Sequence, residues 1–135
     1  MRIVCKRLHR GADLLRSVKA LAAEEHIRAG VVLSAVGCIQ HGKVRDASGV
    51  TIREIPEPCE IVSLNGTVSE KRCHLHIALS GEDLSTVGGH LVEGCIINTT
   101  CELVIGVADG WKIDTEFDGE TGYDELIFRE KGQPC

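Results

Sequence analysis

The chain has 135 residues, with 15 lysines and arginines against 20 aspartates and glutamates, and its formal net charge is −5. Hydrophobic residues make up 43% of the chain and aromatic residues only 3%. A chain of this length and composition can bury a core, which excludes an intrinsically disordered protein. The negative charge argues against a general polyanion binder, and the shortage of aromatic rings argues against a platform for stacking single-stranded bases. We expect one domain spanning residues 1–135.

The distribution of apolar residues predicts neither a membrane span nor a secretion signal. No apolar run approaches the roughly 18 to 20 residues that cross a bilayer, and the first seven residues are too mixed for a signal peptide. We therefore expect a cytoplasmic protein with reduced thiols and no membrane partner. Most of the seven cysteines lie in apolar segments, where we expect small buried side chains; they are Cys5, Cys38, Cys59, Cys73, Cys95, Cys101 and Cys135.

One helix is predicted near the start of the chain. Four apolar residues recur at the spacing of a single helix face, namely Leu14, Val18, Leu21 and Ala22. Asp13 can cap the first amides of this helix, and Gly30 suits its exit. These signals predict a helix over residues 12–27.

Most of the remaining chain is predicted to form strands separated by turns. The predicted strands cover residues 31–39, 43–46, 60–64, 73–79, 95–97, 101–107 and 125–128. Turns or loops are expected at 47–49, 55–58, 80–83, 109–110 and 118–122, with a bulge at Gly37 and a turn or a bulge at 65–66. One helix among about seven strands does not alternate as βαβ units do. The sequence therefore predicts an α+β fold with a mainly antiparallel sheet.

The segment 73–79 carries the most informative pattern. Side chains alternate between the two faces of a strand, so its odd-numbered apolar residues should face the core while His74 and His76 share the opposite face. Two imidazoles at this spacing can chelate one metal ion. His90 follows Gly88 and Gly89, which we expect to take positive φ and to fold a third imidazole back beside the first two. Three neutral imidazoles favour zinc or another divalent transition metal.

Simpler roles are also open to the three histidines and to the two glutamates that are candidates for supporting them. A strand histidine is often only a polar residue on a solvated face. Glu93 and Glu102 are candidates for orienting an imidazole through its other nitrogen. The alternative for each glutamate is a solvated or salt-bridged carboxylate.

Other classes of site have weaker signals. No phosphate-binding glycine motif and no nucleophile elbow occurs. Lys6, Arg7 and Arg10 are candidate phosphate contacts. A solvated face is the expected role of these residues and of the basic pairs at 43/45 and 71/72.

Five segments of the chain, taken in order, form a specific pattern. They are GADL at 11–14, EIVSLNG at 60–66, HLHIALS at 74–80, VGGHLVEGCIINTTCELVI at 87–105, and an aspartate, a Thr-Gly-Tyr run and a leucine within 118–126. Together they resemble the PPC (plants and prokaryotes conserved) domain over residues 3–129.

The resemblance implies one long helix packed on an antiparallel sheet, a homotrimer, and a metal site at His74, His76 and His90. It also implies a role at DNA, because in plants this domain follows an AT-hook in proteins that act on chromatin. The present chain lacks the Arg-Gly-Arg core that an AT-hook inserts into the minor groove, and its nearest segment is Arg10-Gly11-Ala12. Direct DNA binding therefore loses its physical basis in this chain.

Three functions follow as hypotheses. The first is a homotrimeric metal-binding domain, with any chemistry being metal-dependent and acting on a small-molecule ligand. The second is a DNA-associated regulator that works without an AT-hook, through a local basic patch or a partner. The third is a metal-free scaffold that binds other proteins.

Overall fold

The computed structural model describes residues 1–132, and within them the chain forms nine strands and one helix. In chain order these are β1 Arg2–His9, α1 Leu14–Glu24, β2 Gly30–Arg45, β3 Ile52–Ile55, β4 Cys59–Val68, β5 Cys73–Ser80, β6 Thr86–Leu91, β7 Ile96–Val107, β8 Trp111–Asp118 and β9 Tyr123–Glu130. Seven strands belong to one sheet, whereas β8 and β9 form a separate hairpin. The predicted α+β fold with a mainly antiparallel sheet is confirmed.

The large sheet curls back on itself. Its strands lie in the order β1-β7-β2-β4-β5-β6, with β3 added beside β2, and neighbours are antiparallel. The 16-residue strand β2 changes partners along its length. Its first part pairs with β7 and β4, whereas Val44 and Arg45 pair with Leu91 and His90 of β6. As a result β5, β6 and the end of β2 lie side by side.

The helix α1 is shorter than predicted, with 11 residues in place of the expected 12–27. It begins after Asp13, whose carboxylate accepts the Arg16 backbone N–H at 3.0 Å, and it ends before Glu25. Gly30 is not the exit, because it already belongs to β2 and is paired with Val107. The apolar stripe is confirmed, since all four of its residues are buried. Among residues 1–132 no helix is both long and apolar enough to cross a membrane.

Two pairs of predicted strands fuse into longer ones. The segments 31–39 and 43–45 both belong to β2, and 96–97 and 101–107 both belong to β7, so only residues 46 and 95 of the predicted strands fall outside. The expected bulge at Gly37 is confirmed by a register shift just after it. A Cβ there would lie 2.1 Å from the Thr100 carbonyl oxygen, so only glycine allows β2 and β7 to approach.

The core is aliphatic and lies between α1 and the inner face of the sheet. It is built from buried leucine, isoleucine and valine side chains of α1 and the strands of the large sheet. The six cysteines described are free thiols. Cys59, Cys95 and Cys101 are buried, Cys38 and Cys73 are half-buried, and Cys5 is exposed. Burial raises the pKa of the Cys101 thiol to about 11. Cys135 lies outside the described residues.

Candidate metal centre

Three histidines come together on two neighbouring strands, and β5 carries two of them. Leu75 and Ile77 are buried, whereas His74 is half-buried and His76 is exposed. The predicted alternation is therefore confirmed, with the apolar residues facing the core and both imidazoles on the opposite face.

His90 reaches the same face from β6. It lies directly opposite His76 in the antiparallel ladder, and paired residues of a ladder point to the same side of the sheet. The chain reverses direction within residues 81–85, where Leu84 takes a φ of 65°. The third imidazole is thus folded back beside the first two, as the sequence predicts.

The cause predicted for this fold-back is wrong. Gly88 and Gly89 do not form the turn; both lie inside β6. A Cβ at Gly88 would lie 2.4 Å from the Ile77 carbonyl oxygen, and one at Gly89 would lie 2.6 Å from the Arg45 carbonyl oxygen. The two glycines therefore allow β6 to fit closely between β5 and the end of β2.

The three imidazoles are close enough to share one ion. Their ring centroids are 5.2 Å apart for His74–His76, 5.2 Å for His74–His90 and 5.6 Å for His76–His90. One ring nitrogen from each can be chosen so that all three atoms lie within 4.8 Å of one another. Among residues 1–132 this is the one group of three or more potential metal ligands that meets this condition.

A shallow groove runs beside the cluster. It has a volume of about 210 Å³ and is lined by Asn65, Gly66, Thr67, His74 and His76. The pair Asn65-Gly66 is not a turn, because both residues continue β4 in register with β5. Gly66 takes a φ of +141°, and a Cβ there would lie 1.9 Å from the His74 carbonyl oxygen. This glycine is what lets β4 pass close behind the first histidine.

Two of the three histidines are held in the neutral form at neutral pH. Burial lowers the pKa of His90 to about 4, and the positive charge of Arg45 adds to this effect. Burial also lowers the pKa of His74, helped by His76, Arg72 and Arg45. A neutral imidazole keeps a nitrogen lone pair available, which is the state that binds a metal ion.

The arrangement fits a metal ion in a further respect. Nδ1 of His90 is buried and has no hydrogen-bond partner among the described residues. A buried polar atom left without a partner costs about 1–3 kcal/mol. Three imidazoles with an open fourth position are a donor set that zinc prefers. The residues present therefore fit a divalent transition metal.

The two predicted supporting glutamates do not reach this cluster. The Glu93 carboxylate accepts hydrogen bonds from Arg16 at 2.8 Å and Lys19 at 3.5 Å, so the salt-bridged alternative is the correct one. Glu102 is exposed on β7, between Arg7 of β1 and Val36 of β2. Since β7 is separated from β5 by both β2 and β4, Glu102 lies on a different part of the sheet.

The predicted basic patch is also dispersed by the fold. Lys6 lies on the same face of β1 as the buried Val4 and Leu8, and its Nζ is 3.8 Å from Oε2 of Glu24 at the end of α1. Arg7 points to the other face of the strand, beside Glu102. Arg10 is exposed in the turn that follows. These three side chains do not form one surface for phosphate.

Two arginines that the sequence suggests are merely solvated lie at the histidine cluster. Arg45 is paired with His90 across β2 and β6, and Arg72 precedes His74 by two residues. Both are half-buried. Nothing in the local sequence marks Arg45 as a residue of the site. It lies near the histidines only because β2 pairs with β6, where its partner His90 is 45 residues further along the chain.

The chain matches the model of the Plants and Prokaryotes Conserved (PCC) domain over residues 1–109. This stretch is most of the chain and contains all three histidines, so the protein belongs to this family. The hairpin of β8 and β9 lies beyond the matched residues.

Solved structures share the fold. A hypothetical protein from Salmonella cholerae-suis has a TM-score of 0.93 at 29% identity, with 96% of this chain and 94% of that chain covered. The metal-containing protein AF0104 of Archaeoglobus fulgidus has a TM-score of 0.78 at 30% identity, with 94% of each chain covered. A Bacteroides thetaiotaomicron protein, provisionally described as DNA-binding, has a TM-score of 0.82 at 23% identity and covers 93% and 91%. At that identity the last similarity shows the fold alone.

One curated relative is a longer protein. The bifunctional protein GlmU of Synechococcus sp. strain JA-2-3B'a(2-13) is 35% identical over 136 residues, which is 100% of this chain but 22% of GlmU. The chain therefore spans about a fifth of the length of that relative. Only this part of GlmU is similar to it.

Proposed function

We propose that the protein binds zinc or another divalent transition metal through His74, His76 and His90. The observation that carries the proposal is the convergence of three imidazoles from β5 and β6, with one ring nitrogen of each within 4.8 Å of the others. The buried and unpartnered Nδ1 of His90 and the low pKa of its ring support it. The similarity to a metal-containing protein of Archaeoglobus fulgidus adds to this support.

The chemistry of such a site would depend on what occupies the fourth coordination position of the metal ion. A bound divalent ion polarises a ligand oxygen or lowers the pKa of a bound water. The chain itself contributes rigid positioning, since all three ligands lie on paired strands. His76, the exposed member, leaves the cluster accessible from the groove beside it.

The test is the metal content of the untagged protein, measured by mass spectrometry of the elements after purification without chelators. We expect about one metal ion per chain. The His76→Ala variant should lose it, whereas His9→Ala, which removes an exposed histidine from β1, should keep it. Metal content near zero in the natural protein after incubation with zinc would contradict the proposal.

We further propose that the protein is a homotrimer, as its family resemblance implies. The face of β1, β2 and β4 opposite the core exposes Ile3, Val31, Leu33, Val36 and Val62, and we call this set the aliphatic face. Ile3 and Val31 are joined across Gly106, which pairs with both, whereas Val36 lies beside the exposed Glu102 of β7. Exposed apolar residues grouped in this way favour a protein–protein interface.

The second candidate function is association with DNA. Its support is the provisional description of a protein with the same fold. Against it stand the net charge of −5 and the separation of Lys6, Arg7 and Arg10. A titration of duplex binding against salt tests it, because phosphate contacts give a steep salt dependence. Absence of binding at low salt would rule out direct contact.

The third candidate, a metal-free scaffold, shares the aliphatic face but not the metal. Metal content separates it from the first proposal directly.

We propose a cytoplasmic location for the protein, since the six described cysteines are free thiols and reduced thiols are typical of that compartment.

A further inference from the structure

We infer that the three-histidine site takes a small oxyanion, such as a carboxylate or phosphate group, held by Arg45 and assisted by Arg72. This inference rests on the proposed function, because the anion would fill the open position of the metal. It adds the chemical class of the ligand and the residues that select it.

The first argument is the register of the sheet. Asn65, His76, His90 and Arg45 are successive cross-strand partners on β4, β5, β6 and β2. Residues in one such row point to the same side, and adjacent strands are about 4.8 Å apart. The long side chain of Arg45 therefore starts one strand from His90, on the face that carries the imidazoles.

The second argument is the missing counter-charge of Arg45. Its Nε atom is buried and has no hydrogen-bond partner, and no carboxylate pairs with it among residues 1–132. A half-buried guanidinium is stabilised by a hydrogen-bonded anion. No acidic side chain of residues 1–132 provides that anion, so the guanidinium is free to bind an anionic ligand.

The remaining arginines show how unusual this is. Of the nine arginines, seven are exposed, and only Arg45 and Arg72 are half-buried. Among the exposed ones, Arg2, Arg16, Arg53 and Arg129 pair with carboxylates, whereas Arg7, Arg10 and Arg28 form no ion pair in the described part of the chain but remain solvated. The two arginines at the histidine cluster are thus the most desolvated, and neither forms an ion pair within residues 1–132.

Arg72 completes the arrangement from the other end of the cluster. One of its guanidinium nitrogens donates to the Asp124 carbonyl oxygen at 3.0 Å, which anchors the side chain against β9. Arg72 comes directly before β5 and precedes His74 by two residues, so it shares the parity of His74 and His76 and starts on the face that carries the imidazoles.

The chemistry that these groups would recognise is an oxyanion. A guanidinium donates two parallel hydrogen bonds to a carboxylate or a phosphate, and this geometry is specific to planar or tetrahedral oxyanions. A divalent ion beside it favours the same ligand electrostatically. In a chain with a net charge of −5 this cluster is a local positive site, so it selects anions that the rest of the surface repels.

The experiment uses the cobalt-loaded protein, whose visible spectrum reports the ligands of the metal. Inorganic phosphate and acetate are titrated into the natural protein, Arg45→Gln, Arg72→Gln and the control Arg28→Gln, which changes an exposed arginine. We expect both anions to change the spectrum of the natural protein. The Kd should rise at least about tenfold in Arg45→Gln, less in Arg72→Gln and not in Arg28→Gln, with cobalt content unchanged in all four.

The outcomes separate the two proposals. Equal Kd values in the natural protein and Arg45→Gln, or no spectral change with either anion, would overturn the anion site while leaving the metal site intact. If the natural protein binds no metal, the proposed function fails, and the anion site is then tested by the rise of Tm with phosphate. A rise in the natural protein that Arg45→Gln abolishes would support the site, and no rise would overturn it.

Discussion

The aliphatic face and the histidine cluster occupy two regions on the outward side of the same sheet. In both, strand alternation exposes every second side chain while its neighbours enter the core. The outward-facing residues are Ile3, Val31, Leu33, Val36 and Val62 in one region, all exposed, and His74, His76, His90 and Arg45 in the other, of which only His76 is exposed and the rest are half-buried. The first set lacks polar groups and suits another protein surface, whereas the second set has donor atoms without partners and suits a ligand. Residue type, not backbone geometry, separates the two functions.

The largest effect should come from breaking the backbone contact behind the histidine cluster with Gly66→Ala. The new Cβ would lie 1.9 Å from the His74 carbonyl oxygen at a φ of +141°, so β4 and β5 would have to separate. We expect a loss of several kcal/mol in the free energy of unfolding, measured by urea denaturation. Gly110→Ala, with nothing within 4 Å of the new Cβ, should change it by less than about 0.5 kcal/mol.

The next effect should come from placing a charge on the aliphatic face. Val36 is 58% exposed, so Val36→Asp should leave the fold of one chain intact while introducing a buried charge into each proposed interface. Light scattering after gel filtration should show three times the 14.6 kDa of one chain for the natural protein and a single chain for the variant. Val50→Asp, in a loop outside this face, should remain trimeric. A natural protein that elutes as a single chain would contradict the interface.

A smaller effect is expected from pH in the metal-free protein. Because the pKa of His90 is about 4 in the folded chain against 6.5 in the unfolded chain, folding disfavours its protonated form. The stabilisation is complete above pH 6.5 and is lost as the pH falls towards 4, with a magnitude on the order of 1 kcal/mol because solvent screens the site. Denaturation at several pH values should show this slope, and His90→Gln should reduce it. An unchanged slope in that variant would show that other groups cause the loss.

The smallest effect should come from Glu93→Gln. This change removes the ion pairs to Arg16 and Lys19, which are exposed and therefore contribute little. We expect little or no change in the free energy of unfolding and no change in metal content. A loss of metal in this variant would show that Glu93 does support the metal ligands.

The sequence predicted the parts of the site that depend on local periodicity. The shared face of His74 and His76 follows from strand alternation alone. The proximity of His90 was also predicted, but for the wrong reason, since Gly88 and Gly89 serve close strand packing and not a turn. Glycine permits both, and only the position of the neighbouring strands decides between them.

The parts that failed depend on long-range pairing. Arg45 reaches the cluster only because β2 is long enough to pair with β6 after it has left β7 and β4. The predicted helix was too long because Asp13 marks its start clearly, whereas no residue between Ala22 and Gly30 gives a strong local signal for its end. Glu102 is unusual among its apolar sequence neighbours, yet it lies on the outward face of β7, between β1 and β2, and not at the metal site.

The most direct test of the metal proposal is X-ray absorption at the zinc edge on untagged protein loaded with one equivalent of zinc. We expect scattering from three imidazole nitrogens at about 2.0–2.1 Å, with an oxygen ligand in the fourth position. The signal of these imidazoles should disappear when His74, His76 and His90 are all replaced by alanine. Sulfur scattering at about 2.3 Å, or a spectrum unchanged by the triple substitution, would contradict a metal centre at these three histidines.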